Sequence, residues 1–423
     1  MAWHSRLLSL LPSHRASQQA RCFTALSQQP SLEEAVAELA LQLKQAGQRH
    51  AADLTLVFCS SAYASDLQRV LPLLRTAIAS KHWIGCCGGG VVGTDPKGQA
   101  HELEHKPGIS LTLLELPDTE IEVFRLKTDQ LPDLDGSSQH WADWAGVDPT
   151  DGHSMLLFID PTCNAINDLI SGLDYAYPNA HKIGGIAGQH SANHGSLLLD
   201  DGVLDGAIGC LIKGAWRIDP VVAQGCKPIG PIFEIDKAER NVVQRLRAAE
   251  QEGTPVACLQ SILETLSPAE RELVRHSLFL GVAKSNFQLP SSGDAPEPAF
   301  LVRNLIGVDP RTGSVAVAER LRVGQQVQFQ LRDAEASRQE QHQLLQGQAG
   351  RQSQPLTALL FACLGRGEGL YGAANGDVEG CREIFPDLPI SGAFCNGEIG
   401  PVAGATHLHG YTASWGFLVP NNP

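Results

Sequence analysis

Phe394-Cys395-Asn396-Gly397-Glu398 sets a thiol, a carboxamide and a carboxylate almost side by side, and His407-Leu408-His409 follows shortly after. A thiol near an imidazole can serve as a nucleophile, provided that a base or a positive neighbour draws it toward thiolate. Two histidines at alternating positions fall on one face of a strand and suit a metal once a third ligand arrives. The third chemistry needs no covalent step. Asn396 and Glu398 hydrogen-bond a small molecule, Glu398 meeting an ammonium group and Arg366 a carboxylate. This is the reading adopted, with Asn396, Glu398, Arg366, Cys395 and His409 as ligand-binding residues and no catalytic or metal-ligating residue assigned.

These residues belong to Ser391–Pro401, a glycine-rich stretch set between strand-like Ile390 and Tyr411–Val419. The same arrangement occurs three times. Apolar runs begin at Leu54, Met155 and Ala358, and helical spacing follows at Asp66–Ala79, Asn164–Ala176 and Val378–Phe385. Each copy continues through a glycine-rich segment (Ile84–Gly93, Ile183–Gly188, Ser391–Pro401) to a last strand opened by Gly108, Gly206 or Gly410. The spacing from Phe58, Phe158 and Phe361 to those glycines is nearly constant. The expected fold class is therefore α/β, built from repeated β-α-β-β units. Continuous apolar first strands imply sheets covered by helices, and each strand–helix–strand unit should be parallel and right-handed. Ligands in such sheets sit at the carboxyl ends of the strands.

Gly88-Gly89-Gly90 could offer backbone N–H groups to an anion, which adds Gly88 and Gly89 to the ligand-binding set. It lacks the Lys-Ser/Thr of a phosphate loop and does not fit the dinucleotide fingerprint, so no cofactor is expected. Between the second and third copies, Ile235–Leu266 has helical character, and Ser267-Pro-Ala-Glu opens another helix with a capping box. Four strands follow at Ser277–Val282, Phe300–Val308, Ser314–Ala318 and Val327–Leu331, with Asp309-Pro-Arg-Thr-Gly as a joining turn. Gln339–Gln354 reads as a solvated helix end and a loop.

The 423-residue chain is 43% hydrophobic and 18% charged, in keeping with folded domains rather than disorder. Its formal charge of −14, with dispersed Lys and Arg, argues against nucleic-acid binding, and no run is long enough for a transmembrane helix. The eleven cysteines include no C-x-x-C and mostly lie in apolar runs, as buried thiols of a reducing compartment do. Met1–Leu32 contains no acid but carries Arg6, Arg15, Arg21 and several serines. That composition is expected of an organellar leader, chloroplast or alternatively mitochondrion.

Gly85-Cys-Cys-Gly-Gly-Gly-Val-Val-Gly, the Phe300–Leu331 strands, Leu359-Leu-Phe-Ala-Cys-Leu-Gly-Arg-Gly, Phe394-Cys-Asn-Gly-Glu-Ile-Gly-Pro and His409-Gly-Tyr-Thr resemble the FIST (F-box and intracellular signal transduction) proteins. The likeness runs from Ala51 to the C-terminus. It implies a FIST N-like domain over 51–230, a FIST C-like domain over 231–420, and a sensory role in binding small ligands such as amino acids or related carboxylates. No F-box or output domain is recognised, as in a stand-alone cyanobacterial-type protein retained in a plastid with an unknown protein partner for output. Two alternatives remain: a protein-interaction scaffold like the F-box relatives, and an enzyme using Cys395 or Glu398.

Overall fold

A computed structural model describes residues 19–421 apart from 201, 250, 285–298 and 352. The three sequence repeats become three copies of one unit. In each, a leading strand (Ala52–Ser60, Gly152–Ile159, Thr357–Cys363) pairs in parallel with a second strand (Ser80–Gly88, His181–Ile186, Ile390–Cys395). The crossover helices Leu67–Ala77, Ile166–Ala176 and Gly376–Arg382 lie where the periodicity puts them. The last strand of each unit returns antiparallel along the leading one.

The hairpin between the second and last strands does not stay at home. Gly90–Thr94 of the first unit pairs with Ile390–Cys395 of the third. Leu197–Leu199 of the second pairs with Ser80–Gly88 of the first, and Gly397–Val402 of the third with His181–Ile186 of the second. Three six-stranded sheets result, each completed by a flanking strand: Arg21–Ser27, Thr119–Leu126 or Trp216–Ala223. The arrangement is cyclic, so the units surround a common pseudo-threefold axis. Phe58, Phe158 and Phe361 meet there edge to face, with ring centroids 5.8, 5.9 and 5.4 Å apart, a favoured aromatic geometry.

A glycine shared by the repeats has a steric explanation. Gly85, Gly184 and Gly392 lie inside strands, not turns, and a Cβ there would come within 1.8, 1.9 and 1.8 Å of the carbonyl oxygens of Val57, Leu157 and Leu360. Gly184 and Gly392 also hold φ of 147° and 154°, values that side chains disfavour. In the third unit the register sets Thr412, not Gly410, in the place of Gly108 and Gly206. The N–H groups of Ser60, Asp160 and Cys363 donate to the carbonyls of Gly108, Gly206 and Thr412, respectively.

Between Trp216–Ala223 and helix Ala334–Ala349 the third unit is interrupted by a seven-stranded sheet. Cys226–Glu239 pairs with Gln326–Arg332 along its first half and with Val242–Arg247 along its second, which closes the sheet into a barrel. Phe233, Ile235, Val282, Val327 and Phe329 fill it. The helix expected over Ile235–Leu266 is confined to Pro255–Thr265, where Thr254 caps the first turn. Val242 and Val243 are instead in a strand, Val242–Arg247, that buries Val243 and Leu246 across a register shift in its pairing, as β-branched residues favour strands. The capping box at Ser267 and Glu270 is present, and Asp309–Gly313 joins two strands. The glutamine-rich stretch is a helix, Ala334–Ala349, whose inner face buries Gln341, Leu345 and Gln348. Part of the expected leader is also built into the fold: Arg21–Ser27 pairs over seven positions with Ile109–Glu115, and Leu32 starts a helix. Residues 1–18 lie outside the described residues.

Candidate functional site

Three backbone hydrogen bonds close a ring around the axis at the carboxyl ends of the second strands. Gly89 N–H donates to Phe394 O at 2.9 Å, Gly188 N–H to Cys87 O at 2.7 Å, and Asn396 N–H to Ile186 O at 3.0 Å. Gly88 and Gly89, expected to cradle an anion, thus belong to this closure, and the Gly89 N–H already has a partner. Asn396 stands where the other units have Gly89 and Gly188. Its side chain is exposed, with Nδ2 donating to Ala187 O at 3.1 Å.

At the start of each hairpin strand beyond the ring, the units differ sharply. Val91, Leu197 and Glu398 occupy equivalent positions, opposite Ala393, Cys86 and Gly185, which in turn lie beside Phe361, Phe58 and Phe158. Val91 and Leu197 belong to the central apolar core. Glu398 is 0% exposed at its position. Oε2 accepts the Thr412 N–H at 3.1 Å, whereas Oε1 has no partner among the described residues. Burial pushes its carboxyl well above the ordinary range, which favours the neutral acid. The half-buried Cys363 adjoins that carboxyl.

The other expected site residues have different surroundings. Cys395 is fully buried, its Sγ 3.7 Å from Ala393 O, and burial holds the thiol far above its usual pKa. Such a sulfur is a poor nucleophile. His409 lies directly across the ladder from Glu398, with Nε2 3.0 Å from Gly400 O, and burial lowers its pKa to about 3. It is neutral at physiological pH. Among the described residues no group of three or more His, Cys, Asp or Glu is arranged to hold a metal ion.

Arg366, proposed to meet a ligand carboxylate, has one inside the protein. Its Nε and Nη2 reach Asp377 Oδ2 and Oδ1 at 2.8 and 2.6 Å, Nη2 also lies 2.6 Å from the Tyr371 hydroxyl, and Nη1 donates to Tyr411 O at 3.2 Å. Both members of the pair are 0% exposed. The first unit reaches into this cluster: Glu102 Oε1 accepts the N–H groups of Asp377 and Val378 at 2.9 and 2.8 Å. Burial and the Asp377 carboxylate push Glu102 up to about 8.

Sequence reading missed Asp377 and Tyr371, six residues apart, and Glu102, 275 residues from Asp377; none carries a motif. It also missed Ser196, which stands where the other hairpins begin with Gly90 and Gly397. Its Oγ lies 3.2 Å from His190 Nε2, and Asp160 accepts its N–H at 2.8 Å. Because Asp160 binds the serine backbone and the Thr162 hydroxyl, it holds the loop and does not orient His190.

Residues 53–248 match the FIST N domain and residues 255–401 the FIST C domain. The chain belongs to the FIST family. FIST domains are sensory, ligand-binding signalling domains. An uncharacterised protein of Mycobacterium tuberculosis is 30% identical over 403 residues, covering 94% of this FIST chain and 100% of its own length. One from Mycobacterium bovis is 31% identical over 394 residues, covering 92% of this chain and 96% of the relative. Among solved structures, a cyanuric acid hydrolase from A. caulinodans aligns over 94% of this chain and 99% of its own, at 11% identity and a TM-score of 0.30. No helix among the described residues is long and apolar enough to cross a membrane.

Proposed function

We propose that this FIST protein is a sensor for a small ligand, an amino acid or related carboxylate, received beside Asn396 and Glu398 at the axial end of the third unit. The observation that carries this reading is Glu398, a buried carboxyl with one oxygen unpaired among the described residues where the sister units have valine and leucine. Such a group is unfavourable to bury, and perturbed groups of this kind cluster at functional sites. Asn396 supplies an exposed carboxamide, and the half-buried Cys363 adjoins the acid. In its neutral form Glu398 donates a proton in a hydrogen bond; it does not act as a counter-ion to an ammonium group. Arg366 supports the site through the Tyr411 carbonyl, next to the Thr412 N–H that Glu398 accepts. The high thiol pKa of Cys395 favours binding over covalent catalysis. Output passes to a partner protein.

The test is a thermal-shift screen of amino acids and small carboxylates on the full chain. A true ligand at a hundredfold excess over its dissociation constant stabilises by about 2.7 kcal/mol. Asn396→Ala and Glu398→Leu, the latter matching Leu197 of the second unit, should each abolish the shift while both variants still unfold cooperatively. A panel without a hit, or a shift that survives both substitutions, counts against the reading.

A further inference from the structure

A groove of about 920 Å³ runs between the inserted barrel and the hairpin Gly397–Val402/Ala405–His409 of the third unit. The barrel side presents Arg240, Lys284, Arg320 and Arg322; the hairpin contributes His407. The two carboxylates on the lining are already matched. Glu234 meets Arg247 at 2.8 Å, and Glu319 meets Arg303 at 2.8 Å and Lys284 at 3.5 Å. Among the described residues, no carboxylate lies within salt-bridge reach of Arg240, Arg320 or Arg322. In a chain of formal charge −14 this is a local reversal of sign.

The backbone that carries the arginines is fixed by its neighbours. Leu321 is buried in the barrel core, so Arg320 and Arg322 on either side face outward. Its N–H donates to Arg240 O at 2.9 Å, which ties the loop to the turn bearing the third guanidinium. Gly324 N–H donates to Ile235 O at 2.8 Å, and Gln325 Nε2 to Ala283 O at 3.1 Å. Three guanidinium forks on a fixed frame suit oxyanions, which they bind with two parallel hydrogen bonds each. A concave site between two structural units also focuses their field on a small ion. His407 Nε2 is buried with no partner among the described residues. Burial, together with Lys284 and Arg303, lowers that imidazole to about 4, so at neutral pH its ring takes part in hydrogen bonds without charge.

We infer that this groove is a second binding site, for a small anion with at least two negative oxygens, of the phosphate-ester or polycarboxylate kind. It is lined by neither Asn396 nor Glu398 and does not depend on the reading given for Glu398. Isothermal titration of the full chain with inorganic pyrophosphate and, separately, with citrate at fixed physiological ionic strength tests it. Saturable one-to-one binding of either anion is expected, and which one binds distinguishes phosphate from carboxylate chemistry. Arg320→Ala combined with Arg322→Ala should weaken binding by roughly tenfold or more, while Arg311→Ala, on another barrel turn, should leave it unchanged. Circular dichroism establishes that the variants are folded. No saturable binding of either anion, or equal affinity in the double variant, would overturn the inference.

Discussion

The first two units and the third solve the same packing problem around the axis with different residues. Val91 and Leu197 pack into the central core, as their positions demand. Glu398, in the third unit, introduces an acid there with one oxygen unpartnered among the described residues. At the ring of backbone hydrogen bonds, Gly89 and Gly188 give way to the exposed side chain of Asn396. At the ends of the leading strands, Ser60 and Asp160 give way to Cys363. Three copies of one unit thus act as an internal control. What all three keep is architecture, and what the third alone carries is the candidate for function.

That comparison can be broken at the shared positions first. Gly392→Ala drives a Cβ into the Leu360 carbonyl and should destabilise by about 4 kcal/mol or more. Gly85→Ala and Gly184→Ala should do the same. Chemical denaturation of the three variants checks this, and one tolerated substitution would separate that unit from its sisters.

A smaller loss should follow from the buried pair that anchors the third unit. Asp377→Asn leaves the Arg366 guanidinium without its carboxylate in a fully buried setting. The expected cost is about 3–5 kcal/mol. Because Asp377 also positions its backbone against Glu102 of the first unit, the loss should appear in the cooperative unfolding of the whole repeat core. Unfolding of the inserted barrel alone would contradict this.

Much of the architecture was legible in the sequence because each unit repeats a pattern that local physics enforces. The apolar first strands, the amphipathic helices and the glycine under Val57, Leu157 and Leu360 each leave a mark at fixed spacing. The hairpin exchange left none, since a strand's own residues do not say which unit it will join. Ile235–Leu266 misled because Val242 and Val243 can be fitted to a helical period, whereas they form a hairpin with the end of Cys226–Glu239 and a long-range pairing with Ser314–Val317. At the site, Asn396 and Glu398 stood out as departures from the repeat. Their environment did not: the Glu398 carboxyl is buried, and Arg366 is engaged by Asp377, a residue with no sequence signal of its own. Ser196 and His190 meet through a loop that has no periodicity to read.

The central claim is that Glu398 is kept at the expense of stability, unlike Val91 and Leu197. Glu398→Gln preserves shape and the acceptor for Thr412 N–H but removes the titrating proton. A carboxyl whose folded pKa is raised contributes its stabilising neutral form fully below the unfolded pKa and loses it as pH rises toward the folded value. The substituted protein should therefore match the native one near pH 4 and exceed it by about 1–3 kcal/mol at neutral pH. The measurement is urea unfolding of both proteins across that pH range. A gap that widens in favour of Glu398→Gln as pH rises is the predicted result. A variant less stable than the native protein at neutral pH would contradict the account and make Glu398 a structural residue.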